Sequence, residues 1–443
     1  MREERNDARS AALRVLRQMD RAAAWADAGL DAELRRSGLA GQEAALAARL
    51  VYGVLQNRAL LDHYLGAYCS QKIDHLQKPL ADILRLGAYQ IVFLDRVPDS
   101  AAVNTSVELC RDCGRGQASG LVNAVLRKVA ANKDNLPPVP EKDAVSYLAT
   151  RYSHPKWLVR RLLSLVGREE AECFLRADNA PAPITVQTNT ILTAPEALRA
   201  SLEAEGVQVT PGLLPGSFQL RGTGNLTKLV AFQAGHFQVQ DDAAALVTEA
   251  MDLRGGEQVL DVCAAPGGKS FRCAMAMGDK GRIVACDLYE NKLRRIEAGA
   301  KRLHLTAIET AALDGRSFRA EWENAFDLVL VDAPCSGLGI IRKKPEIRYK
   351  KADDLFALPV VQTAILENAS RYVKPGGLLL YSTCTILLEE NGQVTDEFLA
   401  GHPDFRREGF TLPIGEVPEG QITLWPQRQG TDGFYICRMR KAT

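Results

Sequence analysis

No apolar run in this chain approaches the ~18 residues needed to cross a bilayer, which sets aside a helical membrane protein. The opening MREERNDARSAALRVL carries charge where a secretory leader would need an apolar stretch, so none is expected. The 10 cysteines lack the density and regular spacing of a disulfide framework. Together these absences point to a reducing cytoplasm, where thiols stay free. Net charge is nearly missing as well. At +1 overall, any nucleic-acid surface must be a local patch and not a global field. There is no internal repeat and no low-complexity tract.

What is present is an ordinary globular composition in a chain of 443 residues, too long for one core. Residues 1–139 read almost wholly helical. Leu13, Leu16 and Met19 form one stripe against Arg14 and Arg17, and Leu46, Leu50 and Val54 form another. Residues 83–94, ILRLGAYQIVFL, are apolar nearly all round, which predicts a central bundle helix. Asp99 and Ser100 are placed to cap the helix after Pro98. The three prolines of NKDNLPPVP (132–140) predict a boundary. A small α+β unit is expected over 140–234. It has helix over 145–176 broken at Tyr152–Pro155, a break at NAPAP (179–183), and strands at 185–188, 207–209 and 217–220. From 235 to 443 strand and helix alternate, with strands at 258–262, 282–286, 309–313, 328–331 and 378–382. That alternation predicts a mostly parallel, Rossmann-like sheet. Residues 421–425 and 433–439 read as a hairpin at one edge.

In such a sheet, ligands sit beyond the carboxyl ends of the strands. The first of these strands runs into VLDVCAAPGGKS (259–270), a Pro-Gly-Gly loop opening a helix. It matches neither G-x-G-x-x-G nor a Walker loop, because Cys263 stands where the first Walker glycine would be. Asp287 ends the second strand and can accept both hydroxyls of a ribose. Asp314 follows the third and can reach the base. A glycine loop, two acids and no phosphate fingerprint point to S-adenosylmethionine. The expected cofactor contacts are Cys263, Ala264, Ala265, Pro266, Gly267, Gly268, Lys269, Asp287, Asp314 and Asp332. Helix caps and turns are the commoner fate of any one aspartate; it is their succession along the sheet edge that favours a ligand.

The fourth and fifth strands end in DAPCSG (332–337) and YSTCT (381–385). Most free cysteines are buried fillers, and Cys69, Cys173, Cys273, Cys286 and Cys437 read that way. The lone C-x-x-C of Cys110 and Cys113 has no second pair, so no metal site is expected. Cys335 and Cys384 differ, because each ends a strand beside the cofactor loop. Methylation at carbon 5 of a pyrimidine wants such thiols. A thiolate adding at carbon 6 makes carbon 5 enamine-like, and a second group then assists release. Asp332 is placed to hydrogen-bond the base edge and offset charge at ring nitrogen 3. Spacing alone leaves open which thiol attacks.

CAAPGGK, DAPCSG, YSTCT, RKKPEIRY and TDGFYICRM together resemble the RNA 5-methylcytosine methyltransferases. YSHPKWL, NAPAP and FQVQDDAA extend the resemblance over the whole chain to the bacterial small-subunit ribosomal RNA methyltransferase B family. The helical part resembles a NusB-like RNA-binding domain. The resemblance implies Cys384 as the nucleophile, Cys335 as the residue assisting release, and 16S rRNA as the substrate, at cytosine 967. The RNA would be naked or in an early small-subunit particle, and the enzyme a monomer without a membrane partner. Another RNA such as tRNA, a DNA cytosine, or a non-catalytic assembly factor are the alternatives.

Three departures from the family pattern stand out: Thr385 for Ser, Gln187 for Arg, and Ala243-Ala244 after QDD. The Gln187 change is expected to remove a phosphate contact. Arg342, Lys343, Lys344, Arg348, Lys350 and Lys351 cluster after the Pro-Cys motif. They read either as a solvated face or, with Tyr349 stacking, as an RNA backbone clamp centred on Arg342, Lys343, Lys344 and Arg348. A cytosine paired in a duplex would have to be flipped out.

Overall fold

The computed structural model describes residues 6–22, 26–350, 352 and 356–443, so Lys351 lies outside the described residues. Among the described residues no helix is long and apolar enough to cross a membrane. Two compact units are present. One holds the described residues up to Ala180 together with Ile341–Tyr349, and the other the described residues of Pro181–Ile340 and Lys350–Thr443.

The first unit is helical: α1 (Ala8–Ala22), α2 (Ala26–Ser37), α3 (Gly41–Gly66), α4 (Lys78–Phe93), α5 (Asp99–Asp112), α6 (Ser119–Ala131), α7 (Ala144–Arg151) and α8 (Lys156–Asn179). The stripes read from the sequence face its core, with Leu13, Leu50 and Val54 all buried. Each such side chain contributes roughly 1.5–3 kcal/mol on leaving water. The all-round apolar stretch forms α4, which packs against α1, α3, α5 and α6. Its one buried cation, Arg85, is tolerated because Asp62 and Asp82 hold it at 2.8 and 2.9 Å. Asp99 and Ser100 do not cap α5. The cap position is Pro98, and Asp99 pairs with Lys133 instead.

Helices α7 and α8, read as part of the α+β unit, fall in the same compact unit as α1 to α6. Periodicity identifies a helix but not the neighbour it packs on. The prolines at 137–140 end a short 3-10 turn at Lys133–Asn135 without separating compact units.

A further correction concerns Arg348, expected on RNA. It is 1% exposed. From Nη1 it donates to the Gln56 carbonyl at 2.9 Å, the Ser153 carbonyl at 3.2 Å and Asn179 Oδ1 at 3.1 Å. The Ser153 carbonyl, just past the end of α7, attracts a cation, and the guanidinium supplies one while also bonding a carbonyl inside α3 and the Asn179 side chain. Nearby anchors hold the same segment. Glu346 accepts the Ala26 amide at 2.9 Å, and the Tyr349 hydroxyl donates to the Leu55 carbonyl. Arg58 lies 5.3 Å over the Tyr349 ring, so that face already has a stacking partner. Arg342 is also buried, whereas Lys343 and Lys344 are half-buried. A run of basic letters carries no burial information, which is why the cluster reads as one surface.

The second unit begins with a four-stranded antiparallel sheet ordered β2-β3-β1-β4. Its strands are β1 (Ile184–Thr188), β2 (Gln208–Pro211), β3 (Ser217–Arg221) and β4 (Phe237–Val239), with α9 (Pro195–Ala204) and α10 (Val230–Gln233) alongside. β4 lies past the expected boundary at 234, because Val186 to Thr188 pair with it. Gln187 is buried between them. Its amide donates to Asp242 at 2.8 Å, and its oxygen accepts from Arg272 at 3.0 Å. The residue taken as a missing phosphate contact is an internal brace.

Beyond α11 (Asp242–Glu249) comes the main sheet. Its strands are β5 (Gln258–Asp261), β6 (Arg282–Asp287), β7 (Ile308–Ala312), β8 (Phe326–Asp332), β9 (Val373–Thr383), β10 (Phe405–Arg407), β13 (Gln421–Leu424) and β14 (Phe434–Lys441). A separate pair is β11 (Phe410–Leu412) with β12 (Gly415–Val417). The order is β10-β14-β9-β8-β5-β6-β7, parallel from β7 to β9, with β13 also on β14. β14 runs antiparallel inside the sheet, while β10 and β13 share its outer side. Helices α12 (Gly268–Ala276) and α13 (Glu290–Arg302) complete the crossovers around β6.

Replacing Arg348 with Met should lower the stability of the chain by about 2–4 kcal/mol, since several buried oxygens lose a charged donor. A urea titration reads this as a lower midpoint, with the salt dependence of RNA binding unchanged. Normal stability with a salt slope reduced by about 0.7–0.9 would return Arg348 to a phosphate contact.

Candidate active site

Strand β5 is short, and its Val259, Leu260 and Asp261 are buried, so it delivers its carboxyl end to the loop 262–267. The Ala264 amide donates to the Cys286 carbonyl at 2.7 Å, and the Gly267 amide returns to the Ala264 carbonyl at 2.7 Å. The loop is thereby tied to the end of β6. Gly267 sits at φ +106, and a Cβ there would come within 2.5 Å of the Phe271 ring. Only glycine lets the chain turn into α12 at this point. Cys263 is packed against the core and burial pushes its thiol well above the ordinary range. Its backbone lines the loop; its sulfur is inert.

The two expected acids of the cofactor edge sit beside each other in the sheet. Asp287 pairs in register with Ala312, and its carbonyl accepts the Leu313 amide at 3.1 Å. Its side chain is largely buried, receives the Tyr289 amide at 3.0 Å, and lies 3.3 Å from Lys292. Asp314 is held bidentately by Arg316, two residues on, at 2.9 and 2.7 Å. Those hydrogen bonds keep its carboxyl below the usual range. The donor set is acceptor-rich and carboxylate-lined. It would repel phosphates but suits ribose hydroxyls, an ammonium and a sulfonium, so the residues fit S-adenosylmethionine.

Strands β8 and β9 are parallel neighbours, with Asp332 opposite Ser382. The loops leaving them bring Cys335 Sγ to 3.3 Å from Cys384 Sγ. The Cys335 thiol is pushed well above its ordinary range, first by its hydrogen bond with Cys384 and then by burial. Asp332 Oδ1 accepts from Ser382 at 2.8 Å, and Oδ2 receives Lys269 Nζ at 2.7 Å. Burial opposes a charge on Lys269, but the Asp332 carboxylate outweighs it and raises the amine. Lys269 also sits 4.9 Å over the Phe434 ring. So the cofactor-loop lysine, Asp332 and both thiols come together, as the sequence motifs predict.

Other motifs serve to hold these loops. The Gly339 amide donates to the Cys384 carbonyl at 3.0 Å, and the Gly433 amide donates to the Gly339 carbonyl at 2.8 Å. A Cβ on Gly339 would lie 2.0 Å from the Gly433 carbonyl oxygen. A Cβ on Gly433, the glycine of TDGFY, would lie 2.7 Å from Gly339 Cα, so both glycines let the C-terminal strand approach the Pro-Cys loop. Asp241, from the QDD stretch, accepts the Asp432 amide at 3.0 Å. Thr385 places its hydroxyl 2.7 Å from Ser336, which explains why a threonine serves where serine is common. Sequence reasoning missed Ser382, Gln362 and Glu390. The first was hidden between recognised letters, and the others have no periodic signature.

Cys273, Cys286 and Cys437 are buried fillers, as read, and Cys69 is partly buried; Cys173 is exposed, contrary to expectation. Cys110 donates to the Arg115 carbonyl at 3.0 Å at the end of α5.

Asp261 is buried under the loop. Ser270 donates to its Oδ2 at 2.6 Å, while Oδ1 has no hydrogen-bond partner. Burial pushes its carboxyl up to about 7, assisted by Asp332 and opposed by Ser270. A carboxyl raised in the folded state stabilises the fold fully below its unfolded pKa, and that contribution is lost as pH rises through the folded value. Urea stability of the wild type, relative to Asp261→Asn, should therefore fall between about pH 4 and pH 7 and level off above. A flat difference across that range would contradict the assignment.

The 16S rRNA methyltransferase RsmB/F family model matches residues 248–440, the NusB family model residues 6–131, and the RsmF/B-like ferredoxin-like domain model residues 154–227. These correspond to the helical, small α+β and Rossmann-like parts expected from the sequence. A Bacillus subtilis protein named "Probable ribosomal RNA small subunit methyltransferase B" is 37% identical over 98% of both chains. The Ribosomal RNA small subunit methyltransferase B of Erwinia tasmaniensis is 33% identical over 90% of this chain and 91% of its own. A crystal structure of PH0851, 27% identical, covers 99% of both chains with a TM-score of 0.82. On this likeness over nearly its whole length, the chain belongs to the ribosomal RNA small subunit methyltransferase B family.

Proposed function

We propose that this protein methylates carbon 5 of a cytosine in 16S rRNA, at position 967 by its family, through a covalent adduct with Cys384. The observation that carries the reading is the 3.3 Å thiol pair beside the Lys269–Asp332 ion pair. A cofactor seat alone would suit many methyl acceptors; two thiols at one strand-end gap suit a ring that must be activated by addition.

S-adenosylmethionine, when bound, supplies an electrophilic methyl group on a sulfonium. The loop Cys263–Lys269 would hold its amino-acid end at the α12 N-terminus. Asp287 would accept the ribose hydroxyls, and Asp314 would border the adenine. The chain's own residues do the rest. Cys335, whose thiol is pushed up, retains its proton and donates across the contact to Cys384. Cys384 adds to carbon 6, and carbon 5 becomes nucleophilic. Asp332, fixed by Ser382 and Lys269, binds the base edge and orients the positive charge that offsets the charge developing at nitrogen 3. After transfer a base takes the carbon-5 proton, its bonding electrons re-form the carbon 5–carbon 6 double bond, and the carbon 6–sulfur bond breaks to release Cys384 as thiolate, a step assisted by Cys335.

RNA recognition rests on the helical unit and on Lys343 and Lys344, with Arg342 and Arg348 withdrawn from that role by their burial. The enzyme works as a monomer in the cytoplasm, on naked rRNA or an early small-subunit particle.

Cys384→Ala should abolish labelled methyl transfer to unmodified small-subunit rRNA, by at least ~10³-fold, and keep cofactor affinity. A normally active variant would remove Cys384 from the nucleophile role. Cys335→Ala should accumulate an RNA adduct that survives denaturing electrophoresis. Normal turnover without adduct would remove Cys335 from release. Methyl transfer to tRNA but to neither naked rRNA nor particles would overturn the substrate assignment.

A further inference from the structure

The thiol pair is nearly symmetric in its geometry, and the symmetry must be broken for one sulfur to attack and the other to assist. Glu390 lies where it can do so. It is 1% exposed, and no part of the chemistry above uses it. Its Oε2 accepts the Ser336 amide at 2.8 Å, the residue after Cys335. Its Oε1 accepts from the Thr385 hydroxyl at 3.3 Å, the residue after Cys384. Gln362 bridges the same carboxylate at 2.9 Å to the Pro334 carbonyl at 3.0 Å, the residue before Cys335. Tyr381 donates to the Glu390 backbone carbonyl at 2.7 Å, and Asn391 donates to the Thr385 carbonyl at 3.0 Å. Three donors converge on the carboxylate, an arrangement that a neutral amide cannot fully reproduce.

We propose that Glu390 is a positioning residue that clamps the two cysteine loops together and, by its charge, opposes ionisation of Cys335. The proposal rests on the thiol chemistry assigned above. The charged and titratable groups around Cys335 are few. Cys384 and Tyr381 come from the β9 side, Asp332 from β8, and Glu390 from the turn beyond; Lys269 comes from α12. Glu390 and Asp332 both oppose negative charge at Cys335. Lys269 and a negative Cys384 attract each other.

The test is site-resolved alkylation of the full chain by iodoacetamide over about pH 6 to 10, read by peptide mass spectrometry, with rRNA methylation kinetics alongside. In the wild type Cys384 should react at lower pH than Cys335. Glu390→Gln should move the Cys335 profile down by about one pH unit and reduce kcat at least ~10-fold, with KM for rRNA unchanged. Glu390→Asp, which keeps the charge, should keep the wild-type order of reactivity and recover part of kcat. Protection of the buried Cys273, Cys286 and Cys437 certifies that each variant is folded. If Glu390→Gln is unfolded, the Glu390→Asp profile decides alone: a Cys335 profile shifted despite the retained charge overturns the proposal. Unchanged alkylation and kcat in folded Glu390→Gln would overturn it too, and equal shifts for Gln and Asp would reduce Glu390 to shape alone, contradicting the role of its charge. Cys384→Ala separates the two levels. If it is inactive while Glu390→Gln behaves as wild type, only the Glu390 inference fails; if it is active, the nucleophile assignment fails.

Discussion

Two sulfur atoms 3.3 Å apart constrain everything around them. Thiols have no geometric preference strong enough to hold each other there. The separation is set by the register of β8 and β9, which puts Asp332 opposite Ser382, and by the loops that leave those residues. Each loop is then restrained by groups with no chemical task. Gly339 and Gly433 make contact because neither carries a side chain, Ser336 and Thr385 share a hydroxyl contact, and the buried Glu390 receives both loops. A displacement of ~1 Å in such a site costs orders of magnitude in rate, so these supports matter as much as the sulfurs.

The electrostatics follow from the same layout. Lys269, at the start of α12, pairs with Asp332 at the end of β8. In the proposed mechanism this one ion pair joins the seat of the methyl donor to the seat of its acceptor. Asp261 beneath is buried with a raised pKa, and it would be ill-tolerated as a charge were Ser270 not donating to it. The edge is rich in carboxylates, which suits hydroxyls and cations and excludes phosphates. In physical terms that is why the Pro-Gly-Gly loop departs from the phosphate-binding fingerprints.

Much of the main sheet was legible in the sequence because strands of a parallel sheet are buried on both faces and read as unbroken apolar runs. β5, β6, β8 and β9 each hold a buried apolar stretch (Val259–Leu260, Ile283–Cys286, Leu328–Val331 and Leu378–Tyr381), and Asp332, Cys335 and Cys384 follow where two of these stop. α4 was legible for the same reason. Short strands were not: β4 and β10 span three residues each and owe their existence to partners far away in the chain. Tertiary neighbours were not legible either. α7 and α8 read as helices, but their letters do not say that they pack in one compact unit with α1 to α6, and Arg348 read as a surface cation although it satisfies carbonyls inside that unit. Glu390 follows three apolar letters and one acid, so only the folded loops reveal its two partners.

The central claim is that Cys384, and not Cys335, bonds to the base. RNA carrying 5-fluorocytosine at the target position traps such an enzyme, because fluorine at carbon 5 cannot leave as a proton. Incubation of the full chain with S-adenosylmethionine and this RNA, followed by nuclease and protease digestion and mass spectrometry, reads the bonded residue directly. The account predicts a methylated fluorocytidine nucleotide on the peptide containing Cys384. The same nucleotide on the Cys335 peptide, or methylated product released with no adduct, would contradict it.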